Sequence, residues 1–97
     1  PDINECGRIE QEKVEKELNV VYQRVLKHME SVSKNPKTEL HKNLKEEFIA
    51  AQRIWIKLRE ADCQNIYNLW SGGTIRGAMY IGCMQGRAEQ RIKELKE

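Results

Sequence analysis

The apolar residues of this chain recur at helical intervals in three successive stretches. Between about residues 8 and 32 they are Val14, Leu18, Val21, Val25, Met29 and Val32, at steps of four, three, four, four and three. That spacing puts them on one face of a helix, with Glu12, Lys13, Glu15, Lys16 and Lys27 on the other. Ser33-Lys34-Asn35-Pro36 interrupts the pattern, and Asn35 as N-cap with Pro36 in the first turn predicts a new start there. The second helix, predicted over 36–70, carries Leu40, Leu44, Phe48, Ala51, Trp55, Leu58, Ile66 and Leu69 on its inner face. Ser71-Gly72-Gly73-Thr74 predicts a reversal, with Thr74 capping a third helix over 75–96. That helix offers Met79, Ile81, Met84, Ala88, Ile92 and Leu95 to a core. Residues 1–7 are expected to fray, with Asp2 or Asn4 as candidate N-caps.

Three long helices on short loops predict an all-α bundle of antiparallel neighbours in one domain spanning 1–97. The heptad-like spacing of the first two also permits a helical hairpin that pairs with a second copy.

Charge narrows the classes of partner. Seventeen basic and fifteen acidic residues give a net +2, with the signs interspersed along 97 residues. No basic block stands out, which argues against nucleic acid. No apolar run approaches the roughly 20 residues of a membrane-spanning helix. The chain opens at Pro1 without a Met or an apolar leader, so a processed mature form is expected. Cys6 follows Ile-Asn-Glu, which lacks the small residues that precede a lipidated cysteine.

Candidate chemistry is sparse. His28 and His41 have neither each other nor a cysteine at metal-ligand spacing, and exposed histidines on polar faces are the expectation. Most of the carboxylates have Lys or Arg three or four residues away, as solvated helix pairs do. No catalytic residue, metal or cofactor is expected. Cys63 and Cys83 flank the Gly-Gly turn. A redox pair would need a lowered thiol pKa and usually closer spacing, so a structural bridge between the second and third helices is the favoured reading. It would close a loop of about 20 residues.

Trp55, Arg59 and Cys63 share a helical face. Trp55 and Arg59 could recognise a carboxylate or a sugar. The favoured account instead places the indole in the core, with the guanidinium joined to a carboxylate or carbonyl of another helix. Asn19, Tyr22 and Arg91 are candidates for the same polar layer. Around the turn, Tyr67, Trp70, Ile75 and Tyr80, with Arg76 at the rim, are either interface anchors or a cover for the bundle end. Both accounts stand.

The order Gln52, Trp55, Arg59, Cys63, Gly72-Gly73-Thr74, Cys83, Arg91, Leu95, preceded by Leu18-Asn19-Val20-Val21-Tyr22, resembles the LprI-like lysozyme-inhibitor family of bacterial envelope proteins. The matching positions run from about Cys6 to Leu95. The resemblance implies a periplasmic or secreted helical protein without catalytic activity, whose partner is another protein, a lysozyme first. An inhibitor of this shape would bring Tyr67, Trp70, Gly72, Gly73, Arg76 and Tyr80 into the enzyme's cleft. Family members usually carry a further cysteine upstream of the Cys6 position, which implies that Cys6 has either lost its partner by truncation or is free and able to pair between chains. The chain departs from the family at Arg87-Ala88, where Leu-Thr is usual, and packing there should differ. Common lysozymes are strongly basic, so a chain of +2 supplies no long-range attraction toward them. The alternative function is a structural or assembly module of the bacterial envelope, homodimeric through helices one and two.

Overall fold

The computed structural model describes residues 3–97, which form three α-helices: α1 over Ile3–Lys34, α2 over Leu44–Leu69 and α3 over Arg76–Lys96. A 3-10 turn over Glu39–Asn43 leads into α2. No strand occurs among the described residues. The all-α expectation therefore holds, with α2 antiparallel to both neighbours. Glu15 pairs with Arg59 and Glu30 with Lys45, while Cys63 bonds Cys83 and Gln52 meets Arg91. α1 and α3 run parallel: a Cβ on Gly7 would lie 3.4 Å from Ile81, and Lys96 reaches Glu17 at 3.5 Å.

Those registers show where the core ends. α3 stops level with Glu17, yet α1 continues to Lys34, so its second half is covered only by α2 and the 3-10 turn that leads into it. The buried apolar residues are Val14, Leu18, Val21, Cys63, Ala88 and Ile92, with Trp55 and Leu95 packed against them. No residue from 22 to 51 is buried. Val25, Met29, Val32, Leu44 and Phe48, expected inside, are half-covered on this two-helix arm. The result is a rod of 54 × 24 × 16 Å with a radius of gyration of 16.7 Å, against about 12–13 Å for a compact domain of this length.

Several expected core positions are exposed. The inward row of α2 is Gln52, Trp55, Arg59 and Cys63, which mixes polar with apolar groups. Ala51 and Leu58 each sit one residue away from that row and are turned about 100° from it, so both face solvent, as do Leu40, Leu69 and Met79. An apolar period alone cannot find a face on which the buried residues are Gln52 and Arg59.

The helix starts also differ from expectation. α1 begins at Ile3, so Asn4 lies within it, and Asp2 falls outside the described residues. Asn35 and Pro36 do not open α2. Its first turn is fastened from α1 instead: Lys45 N donates to Ser33 Oγ at 3.2 Å and Lys45 Nζ to Glu30 at 2.7 Å. A side chain from a neighbouring helix thus takes one of the amides that a local cap would satisfy. Thr74 does not cap α3 either, since Ile75 occupies that position without a side-chain bond.

Candidate functional site

The Cys63–Cys83 bond joins α2 to α3 with the two Cα atoms 5.6 Å apart. Cys63 is wholly buried, so the bridge is a structural element of the core. Cys6, on an exposed turn of α1, is free.

Next to the bridge, Arg59 links all three helices. It is 6% exposed. Its Nη1 donates to Glu15 Oε2 at 3.3 Å and its Nη2 to Glu15 Oε1, while Nε and Nη2 reach the Met84 carbonyl at 3.2 and 2.7 Å. Burial pulls the guanidinium down from its ordinary value, with Tyr80 and Glu60 opposing. A buried cation is tolerable only when paired and hydrogen-bonded in this way. Arg59 and Arg91 lie 5.2 and 5.9 Å from the centre of the Trp55 ring, and Arg91 Nε donates to Gln52 Oε1 at 3.0 Å. Leu18, Gln52, Trp55, Arg59, Arg91 and Leu95 are thus gathered at one level. Tyr22 instead stacks on Phe48 at 5.2 Å, and Asn19 is exposed beside it on α1. Arg87, the unusual residue on α3, lies at the rim and pairs with Asp62 at 3.1 Å.

The disulfide-braced end of the rod has a different character. Trp70 N donates to the Ile66 carbonyl, Ser71 N to Asn68 and Gly73 N to Trp70, giving a closed turn. Gly72 has φ +86°, a left-handed conformation that a side chain would strain. At Gly73 a Cβ would press to 3.2 Å from the Trp70 carbonyl oxygen. Tyr67 and Tyr80 meet edge to face at 6.0 Å, and Arg76 covers Tyr67 at 4.9 Å. These three hold one another. Leu69, 78% exposed, and Trp70, 41% exposed, project from the turn with Ile75 and Met79 also uncovered. Tyr67 and Tyr80 are thus the half-buried footing, and Trp70 with its aliphatic neighbours is the free surface.

A groove of about 440 Å³ runs between α1 and α2 on the flank of the Arg59 layer. Besides Asn19, Tyr22, Gln52 and Trp55 it is lined by Ile49, Arg53 and Ile56, which the sequence pattern did not single out. Glu15 was likewise not foreseen as the partner of Arg59, although a signal was there: alone among the glutamates of α1 it has no Lys or Arg three or four residues away. Among the described residues, no three His, Cys, Asp or Glu side chains converge as a metal site would require. His28 is exposed, and His41 Nδ1 accepts a 3.4 Å bond from Lys37 N. Among the described residues, no helix is long and apolar enough to cross a membrane.

A small helical domain, stapled by one disulfide and carrying an apolar tip on a rigid turn, is the class that these features define. The family model described as "Lysozyme inhibitor LprI" matches residues 1–95, and the chain belongs to that family. No curated protein and no solved structure matches it.

Proposed function

We propose that this protein is an exported, non-catalytic binding domain that inhibits a lysozyme by seating its Gly72-Gly73 end in the enzyme's cleft. The observation that carries the reading is the tip. Leu69, Trp70, Ile75 and Met79 are exposed together on a turn braced by the disulfide and by the Tyr67–Tyr80–Arg76 stack. Large apolar side chains presented on a rigid support are what a concave target takes up, and little ordering is left to be lost on binding. Membership of an inhibitor family supports the partner. The oxidised pair supports a periplasmic or secreted location, since such bonds persist outside the reducing cytosol. With Arg76 stacked over Tyr67, the tip would bind chiefly through apolar contact, and its affinity should depend little on salt.

The test is a lysozyme activity assay with the oxidised protein. Dose-dependent inhibition that persists at raised ionic strength is expected. A second reading, an envelope assembly module, is favoured by the exposed Ile54, Leu58 and Leu69 on the outer side of α2. Absence of inhibition together with a concentration-dependent dimer in sedimentation would replace the first reading by this one.

A further inference from the structure

The groove between α1 and α2 contains polar groups that the fold has positioned and left unused. Gln52 is 7% exposed, and its Oε1 is taken by Arg91. Its amide nitrogen carries two N–H donors, and neither has an acceptor among the described residues. Every fully enclosed side-chain nitrogen or oxygen among them is hydrogen-bonded, so this nitrogen reaches the open space that Gln52 lines. The indole N–H of Trp55 likewise has no acceptor among the described residues, and Trp55, half-buried, borders the same groove. Both donor groups are open to solvent, so water serves them in the free protein, and a bound acceptor would take that water's place. Asn19 and Arg53, on the two rims, also have no bonded partner among the described residues, which leaves the groove rich in donors.

The remaining walls say what the acceptor should be attached to. Leu18, Ile49 and Ile56 form an apolar side. Tyr22 spends one ring face on Phe48. Its other face has no aromatic or cationic neighbour among the described residues. A carbonyl for the Gln52 and Trp55 donors beside a methyl for the aliphatic wall describes an acetamido group. A ring carrying C–H bonds on one face and hydroxyls at its edge suits the Tyr22 face and the Asn19 and Arg53 rim. The α2 stretch from Ile49 to Arg59 is roughly 15 Å long, room for two or three sugar units. Few polar groups set in a largely apolar cleft is the usual make-up of a small-molecule site.

We infer that the α1–α2 groove binds a short neutral saccharide bearing acetamido groups, through Gln52, Trp55 and Tyr22. This site is separate from the tip and does not depend on lysozyme binding. Glu15 and Arg59 satisfy each other beneath it and hold the layer in place.

The experiment is an NMR titration of the ¹⁵N-labelled protein, without lysozyme, with the β-1,4-linked trimer of N-acetylglucosamine and separately with the corresponding glucose trimer. The acetylated trimer should shift the Trp55 indole and Gln52 side-chain signals and leave Trp70 unmoved, with a dissociation constant in the millimolar range. The glucose trimer should bind at least tenfold more weakly, because a site built around a hydrogen-bonded group rejects the analogue lacking it. Gln52→Glu keeps the acceptor for Arg91 but removes both donors, and should weaken binding tenfold or more at an unchanged melting temperature. Ile56→Lys alters only an exposed part of the wall and should give the same loss should Gln52→Glu fail to fold. No shift with the acetylated trimer, equal response to both trimers, shifts centred on Trp70, or full affinity in the folded variants would each overturn the inference.

Discussion

At the scale of single residues, Arg59 does more than any apolar side chain to define the bundle. It ties α2 to Glu15 of α1 and to the Met84 carbonyl of α3 at once. Replacing it by Ala strands a carboxylate and opens a hole beside Trp55. Because Glu15 keeps partial contact with solvent, the loss should be about 2–3 kcal/mol, below the full figure for breaking a buried pair. Arg59→Lys should lose a good part of this, since an ammonium cannot span both acceptors with a planar fork. Chemical denaturation of the two variants checks the order. That Arg59 joins helices was legible from its place between Trp55 and Cys63. That Glu15 is the acid it meets was not, because the pairing depends on the register between two helices and joins residues 44 apart in sequence.

At the scale of elements, the joint between α1 and α2 lies where sequence signals misplace it. Asn35 and Pro36 form a local start signal, yet the start is decided by Ser33 and Glu30 reaching across to Lys45. Ser33→Ala removes the only side-chain acceptor of the Lys45 amide among the described residues and should cost about 1 kcal/mol, as loss of an N-cap does. The ion pair beside it sets a pH window. The bond from Lys45, with its charge and that of Lys34, holds the Glu30 carboxyl below its ordinary value of 4.5. Glu30 in turn raises the Lys45 ammonium above 10.5. The carboxyl's contribution is complete above 4.5 and disappears as pH falls through its lower folded value. The ammonium's contribution is complete below 10.5 and is lost only as pH rises through its higher folded value. In Lys45→Met, the NMR titration midpoint of Glu30 should move upward toward the ordinary value, with Lys34 retaining part of the shift. An unchanged midpoint would mean that the pair does not form in solution.

At the scale of the whole molecule, the three-helix expectation was legible because periodic apolar stretches and two strong breaks mark three helices. The rod shape was not, because nothing in the pattern says that α3 ends level with Glu17. One end is a three-helix unit closed by a disulfide; the other is a two-helix arm without a buried residue. Amide exchange should divide accordingly, with α1 beyond Val21 and the start of α2 exchanging well before Val14–Val21 and the residues around Cys63. The braced end is also the one that displays Trp70, which fits a role as a rigid probe. The central claim, that this end engages a lysozyme, is tested most directly by titrating the enzyme with wild-type protein and with Trp70→Ala while recording the melting curves of both. The account predicts a loss of about 2 kcal/mol in affinity, roughly 30-fold, at a nearly unchanged melting temperature, and almost no effect from alanine at Lys13 or Lys16. Wild-type affinity in Trp70→Ala, or a loss that appears only because the variant unfolds, would contradict it.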